Sequence, residues 1–383
     1  MLVGKFFRNI NQKDRNHYFF GLSFNSSSVK KNNIFFAIKG TNINGNKYIK
    51  EAIKKGAKTI VSNLNFQGTK NKVLYIKTNN SRKLLSEIAS KFYKNKPKNL
   101  VAVTGTNGKS SIADFYFQIL KLNNKKVASI GTLGIKTHFN NLKINNTTLD
   151  PISLNKHLQK IKKHKIDNVI LEASSHGLKQ HRLNGLNFKT GIFTNLSRDH
   201  LDYHKSYKDY LNSKLLLFKN LLKKNSNVIT DINIPQYKDI KNIVKKKQQK
   251  IFSVGSNKGT LKLTKHSYKD DKQLFQIKYK NKTYKLSVNL IGKVQIKNIL
   301  MAMIAAEKSN LKFEKIAKKI NKIKNVNGRL EKIGYLKNNS RVMLDYAHTP
   351  DALKNCLQNL QDQFANKKIA IVFGCGGDRD KAK

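Results

Sequence analysis

Acidic side chains are scarce in this 383-residue chain: 22 Asp and Glu stand against 76 Lys and Arg, a formal charge of +54. Cysteine is scarcer still, with only Cys356 and Cys375. Two thiols build neither a disulfide scaffold nor a four-ligand zinc site, and they fit a reducing, cytoplasmic setting. No apolar run reaches the ~18 residues of a membrane span, which argues against an integral membrane protein. Met1–Ile10 has neither the apolar stretch nor the small-residue cleavage site of a secretory signal. Arginine is rare too: 68 of the cations are Lys and 8 are Arg. Specific phosphate and base readout leans on the Arg fork, so the charge does not indicate a specific nucleic-acid groove. The lysines are spread along the chain among many Asn, which reads as solvated faces. Non-specific adhesion to polyanions at low salt is expected.

What is present supports real cores. Hydrophobic residues make up 39%, with 20 Phe and 14 Tyr, and the length suggests two or three domains at roughly 150 residues each. Residues 1–97 alternate short strands and helices. Ile34–Ile38 and Thr59–Val61 read as strands, Tyr48–Lys55 and Ser81–Tyr93 as helices, the latter capped by Ser81. Pro97, one of four prolines, marks a linker. Apolar strands then follow at Leu100–Thr104, Val127–Ile130, Asn168–Leu171 and Gly191–Thr194, with helical stretches between them. This alternation predicts a parallel sheet covered on both faces. Gln273–Leu290 reads as a hairpin around Lys280-Asn-Lys282. Ile296–Ser309 and Phe313–Ile323 read as helices. After Gly328 the pattern restarts with a strand at Val342–Asp345, a helix at Pro350–Leu360 and a strand at Lys368–Phe373. Two strands and one helix are too few to bury a core alone, so the third domain is expected to be incomplete.

Gly105-Thr-Asn-Gly-Lys-Ser-Ser111 lies between a buried strand and a helix. That context lets a glycine-rich turn and a helix start present backbone N–H groups to phosphates. Lys109 would meet the β- and γ-phosphates of a nucleotide, and Ser110 would place a hydroxyl on Mg²⁺. The loop is shorter than the usual eight-residue pattern, because Val103 stands where that pattern has Gly. Glu172 ends a buried strand, at the edge where open α/β sheets bind ligands, and could hold the same Mg²⁺. Just past the next strand, Thr194–His204 packs Arg198, Asp199, His200, Asp202 and His204 into seven residues. Nothing local singles out Lys214 within the predicted Tyr207–Phe218 helix.

Together these segments resemble the Mur ligases, ATP-dependent amide-bond-forming enzymes of peptidoglycan synthesis. The resemblance rests on Thr104–Ser110, Thr147-Thr-Leu-Asp-Pro151, Leu171-Glu-Ala-Ser-Ser-His-Gly-Leu178, Thr194–His204, Leu290–Lys293, Asn327-Gly-Arg-Leu-Glu331, Leu344-Asp-Tyr-Ala-His-Thr-Pro-Asp351 and Phe373-Gly-Cys-Gly-Gly-Asp-Arg-Asp380. They occur in family order over essentially the whole chain. Three of the eight arginines, Arg198, Arg329 and Arg379, fall inside these motifs, and Arg182 lies four residues past one of them.

The resemblance implies an α/β, three-domain architecture: residues 1–97 for a uridine-nucleotide substrate, 98–327 as a central parallel-sheet P-loop ATPase, and 328–383 as the start of an amino-acid-binding domain. It implies that ATP phosphorylates the D-Glu side-chain carboxylate of UDP-N-acetylmuramoyl-L-alanyl-D-glutamate. The amine of a third amino acid, usually meso-diaminopimelate or lysine, then attacks the acyl phosphate. By the match, Gly105, Thr106, Asn107, Gly108, Lys109, Ser110, Ser111, Arg329, Asp345 and His348 bind ATP. Ser110 and Glu172 hold its Mg²⁺, while His200 and Lys214, the latter as a carbamate, hold a second. Lys109, Lys214 and His200 thus take the catalytic roles. Ser26, Thr147, Thr148, Ser174, Gln180 and Arg182 resemble the grip on the muramyl dipeptide, and Arg379 a contact to the incoming amino acid. The expected partners are those substrates alone, with no nucleic acid read specifically, in a cytoplasmic monomer.

The sequence also departs from the family pattern. Asn25-Ser-Ser27 replaces a uridine-binding Asp-Ser-Arg. Asn44 replaces Asp, Leu149 and Asn327 replace Pro, and Gln295 replaces Asn. The family's third domain continues past Lys383 to an Asp-Asn-Pro-Arg segment, so a C-terminally truncated chain is expected. Two other readings are a folylpolyglutamate synthetase-like ligase, which shares the Gly-Thr-Asn-Gly-Lys loop, and an inactive nucleotide-binding remnant. The Ser174-Ser-His-Gly177 segment argues against the former.

Overall fold

The structure is a computed structural model and describes residues 1–40, 43–269 and 271–374. The chain divides into two compact units. The first comprises Met1–Lys96, Leu149–Lys163 and Gln180–Leu186. The second comprises Pro97–Thr148, His164–Lys179 and everything from Asn187 onward.

The first unit is built on a five-stranded sheet in the order Gly21–Ser23, Asn33–Phe36, Thr59–Ser62, Val73–Lys77 and Gly68–Lys70. The first four run parallel and the last is antiparallel. Phe36, Val61 and Leu74 pack with Leu85, Ile88 and Ala89 of the helix Ser81–Phe92. That helix is capped by Asn80, whose side chain accepts the Lys83 N–H at 2.9 Å, and not by Ser81. Ser81 already has helical backbone, so the residue before it faces the free N–H groups.

The second unit holds an eleven-stranded sheet. Seven central strands are parallel, in the order Val127–Gly131, Asn168–Glu172, Asn99–Thr104, Phe188–Phe193, Leu222–Asp231, Lys250–Ser256 and Leu261–Lys269. The margins are antiparallel. The hairpin Lys272–Tyr279 and Lys282–Val288 extends one side, turning at Lys280 and Asn281 with positive φ. The short strands Gly134–Lys136 and Asn141–Leu142 extend the other. The helices Lys109–Leu122 and Lys293–Glu307 share one core with the strand residues Val101, Ile170, Ile192 and Ile229. The second of these helices is apolar nearly all round, as a helix enclosed by its neighbours must be.

Register places the chemistry. Glu172 pairs with Val103, and Phe193 pairs with both Thr104 and Thr230. The loops that follow these strands therefore leave the sheet at one carboxyl edge.

Beyond Gly328, Glu331–Tyr335 and Arg341–Leu344 form an antiparallel pair, and Pro350–Gln363 forms a helix capped by the Thr349 hydroxyl. The first strand of that pair has no run of apolar residues and was not legible in sequence. The expected strand at Lys368–Phe373 is absent among the described residues. Val372 is fully exposed, and an apolar run without a neighbouring strand has no ladder to join. The expected helix Phe313–Ile323 is α-helical only over Phe313–Ala317, followed by a 3-10 turn at Ile320–Lys322. No helix among the described residues is long and apolar enough to cross a membrane.

Candidate active site

The turn after Asn99–Thr104 is held from below. Gly105 and Gly108 take φ of +146° and +85°, and a Cβ on Gly105 would lie 1.8 Å from Thr194 Oγ1. The loop is pinned to the next strand's exit. Thr106 N–H donates to Asn195 O at 3.0 Å, Asn107 N–H to Asn195 Oδ1 at 2.9 Å, and Thr194 Oγ1 to Asn107 O at 2.6 Å. The following helix begins at Lys109. Its start at the loop points the Ser110 and Ser111 amides along the helix axis, where an anion gains from the dipole.

Glu172 is buried and fully engaged. Its carboxylate accepts from Ser110 Oγ at 3.1 Å, Thr132 N–H at 2.8 Å and Thr132 Oγ1 at 3.2 Å. Gly131 makes room for it: a Cβ there would sit 2.2 Å from Glu172 Oε1. Thr132 carries no sequence signal for this role. Thr148 Oγ1 donates to the Glu172 carbonyl at 2.8 Å and accepts the Ser174 N–H at 2.9 Å, and Thr147 Oγ1 lies 3.1 Å from Thr132 Oγ1.

Lys214 is the one buried lysine among the described residues, at 1% exposure. Its Nζ donates to Gly105 O at 2.7 Å and stands 4.4 Å from the Tyr210 ring centroid. Burial, with Lys109 beside it, drives its amine well below the ordinary lysine range. Lys109 donates to Gly105 O at 3.0 Å and Thr106 O at 2.7 Å, and burial lowers it also. His200, at φ +54°, receives Asp199 on both sides: its N–H donates to Asp199 Oδ1 at 2.9 Å and its Nε2 lies 3.4 Å from Oδ2. Burial pushes its imidazole down to about 4, so it is neutral at pH 7.

Arg329 Nη2 donates to Ser110 Oγ at 3.4 Å, and its guanidinium lies over the Tyr346 ring. Asp345 accepts the Leu330 N–H and the Ala347 N–H, each at 2.8 Å, so its carboxylate shapes the loop that carries His348. Gln295, replacing Asn, reaches the Arg329 carbonyl at 3.4 Å and accepts from Asn298 at 3.0 Å. These groups line a cleft of 560 Å³ with the phosphate loop, Glu172, His200 and Lys214. A roomier groove of 690 Å³, lined by Lys269, Asp271, Lys272, Lys332 and Arg341, contains none of them.

Ser26, Gln180 and Arg182 lie in the first unit. Ser26 is buried in a 3-10 turn capped by Asn25, whose Oδ1 accepts the Ser27 N–H at 3.0 Å. Asn44 likewise accepts the Asn46 N–H at 3.1 Å, so both Asn replacements retain a capping role. Arg182 donates twice to Gln180 Oε1, at 3.1 and 2.8 Å. Arg379 lies outside the described residues.

No three His, Cys, Asp or Glu side chains form a metal cage among the described residues. A serine hydroxyl beside one buried carboxylate is instead a hard-oxygen set that suits Mg²⁺, which keeps several waters and takes phosphate oxygens as further ligands.

A strand-edge phosphate loop facing a buried acid and a buried amine defines a nucleotide-dependent enzyme of the P-loop type. The matching family models are the Mur ligase family catalytic domain over residues 19–93, the Mur ligase middle domain over 103–306, and the Mur ligase glutamate ligase domain over 328–383. The UDP-N-acetylmuramoyl-L-alanyl-D-glutamate--2,6-diaminopimelate ligase of Rickettsia montanensis is 38% identical over 380 residues, covering 98% of this chain and 78% of that protein. The same-named ligase of Rhizobium meliloti is 34% identical, covering 95% and 74%. A solved structure of a ligase of that name superposes with a TM-score of 0.84 at 28% identity, covering 99% of this chain and 78% of the other. A folylpolyglutamate synthase bound to AMPPCP (TM-score 0.60, 18% identity, 74% and 77% covered) shares the fold. The chain belongs to the Mur ligase family.

Proposed function

We infer that this chain is an ATP-dependent acid–amino-acid ligase of peptidoglycan synthesis, joining 2,6-diaminopimelate to UDP-N-acetylmuramoyl-L-alanyl-D-glutamate. The reading is supported above all by Glu172, Lys109 and Lys214 meeting at one loop, in a chain so similar to ligases of that name. The loop amides and Lys109 hold the ATP phosphates, while Arg329 and His348 approach from the third domain. The γ-phosphoryl passes to the D-Glu side-chain carboxylate, releasing ADP. The diamino acid's amine attacks the acyl carbon, the C–O bond to phosphate breaks, and an amide and phosphate result. The protein's task is to align two anions and neutralise their charge.

Ser110 and Glu172 would hold one Mg²⁺, and His200 with carbamylated Lys214 a second, supplying the positive charge that lets phosphate and carboxylate meet. A lysine must be neutral to add to CO₂, which the desolvation of Lys214 favours. Thr147, Thr148, Ser174, Ser26, Gln180 and Arg182 grip the muramyl dipeptide, and Arg379 the diamino acid. Residues 1–97, 98–327 and 328–383 serve as substrate, ATP and amino-acid domains of a cytoplasmic monomer that reads no nucleic acid specifically.

The test is phosphate release by the full-length gene product supplied with ATP, Mg²⁺, UDP-muramyl dipeptide and either diaminopimelate or lysine. Release that depends on diaminopimelate is expected. Absence of release with any diamino acid overturns the reading.

A further inference from the structure

The helix Lys293–Glu307 begins without a cap of its own, because its N-cap residue is Gly292. Two of its free N–H groups are nonetheless bonded. Gly292 N–H donates to Gln363 Oε1 at 2.9 Å, and Val294 N–H donates to Asn359 Oδ1 at 3.0 Å. Asn359 and Gln363 are four residues apart on the helix Pro350–Gln363 and so share one face. One helix thus caps the other in trans, filling the place an Asn or Ser side chain normally takes.

The junction is tight. Gly292 has φ +86°, and a Cβ there would lie 2.6 Å from Leu330 Cδ1 and 3.1 Å from Asn359 Cβ. Leu330 is itself held at φ +47° while buried, a conformation a branched side chain adopts only when its surroundings impose it. Both helices also reach the phosphate loop. Asp351, in the first turn of Pro350–Gln363, accepts from Asn107 Nδ2 at 3.2 Å. In the capped helix, Asn298 Oδ1 would lie 2.7 Å from a Cβ on Gly108.

We propose that Asn359 and Gln363 are positioning residues for the nucleotide. By plugging the open start of Lys293–Glu307, their side-chain amides seat the 350–363 helix. That holds Arg329, Asp345 and His348 against the phosphate loop. The proposal rests on the ATP reading above. Loss of the plug leaves the buried Gly292 N–H unpaired, lowers the fraction of molecules with the segment seated, and weakens nucleotide binding by that fraction.

Gln363 is the sharper probe, because it is buried and does not line the cleft. Its Nε2 has no partner among the described residues, so Gln363→Glu retains the accepting oxygen and loses no donor bond. The measurement is calorimetric titration of the full chain, with Mg²⁺, by AMPPCP and separately by UDP-muramyl dipeptide. Gln363→Ala should bind AMPPCP about 10-fold more weakly and the muramyl nucleotide unchanged, and Gln363→Glu should restore most of the affinity. Unaltered AMPPCP affinity in Gln363→Ala, an equal loss for both ligands, or no rescue by Glu would overturn the positioning role while leaving the ATP reading intact. A wild-type chain that failed to bind AMPPCP would overturn the ATP reading and this proposal with it.

Discussion

Lys109 and Lys214 donate to the same oxygen, the carbonyl of Gly105, at 3.0 and 2.7 Å. Two ammonium groups on one acceptor repel each other, and burial removes the water that would screen them. A bound anion beside one of them, or loss of a proton from one, would relieve that repulsion. Lys214, the more deeply buried, is the one whose amine burial drives furthest below the ordinary lysine range.

Replacing Lys214 with Ala should therefore reduce turnover by about 100-fold or more, in the range for removing a group that stabilises transition-state charge. Short carboxylates such as acetate should restore part of it, since they supply the anion a carbamate would provide. Phosphate release from ATP reads both effects. Turnover equal to wild type would return Lys214 to the class of ordinary lysines.

Gly105 tolerates no side chain. An alanine Cβ would meet Thr194 Oγ1 at 1.8 Å with φ at +146°, and Thr194 is the group that holds the Asn107 carbonyl. Gly105→Ala should cost about 1–3 kcal/mol of folding stability and abolish AMPPCP binding. Gly334→Ala, where nothing lies within 4 Å of the added carbon, serves as the control. Thermal unfolding and titration of both variants check it; equal behaviour of the two would refute the close approach.

His204 makes stability depend on pH. Its ring is buried, with Nε2 3.0 Å from Ser175 Oγ and Nδ1 3.4 Å from Ser213 Oγ. Burial pushes it from 6.5 to about 4. The unfolded chain then binds the proton more readily than the folded one. The stabilisation is whole above pH 6.5 and is lost as pH falls toward 4, to an extent on the order of 3 kcal/mol. Wild type should lose stability between pH 7 and 5 faster than His204→Asn in denaturant melts. Parallel pH profiles would show that the ring is not desolvated.

Much of the site was legible because it is local. A buried strand, a glycine turn and a helix start are consecutive in the chain, so Gly105–Ser111 and the strand-end Glu172 could be read from pattern alone. Other partners carried no such signal. Thr132, Asn298, Asn359 and Gln363 look like ordinary polar positions until the fold brings Thr132 to Glu172, Asn298 beside Gly108, and Asn359 and Gln363 to the start of the Lys293–Glu307 helix. The pairing of Asn80 with Lys83 and the missing strand at 368–373 have the same origin, since a cap or a ladder is decided by what stands opposite.

The order of amino acids by itself determined the α/β alternation, the phosphate turn and the acid at the strand edge, because hydrophobic period and backbone freedom act between near neighbours. Only the tertiary structure decided which of 68 lysines would lose its water. Lys214 lies 109 residues from the carbonyl it touches, and desolvation belongs to the surroundings a residue acquires, not to the residue.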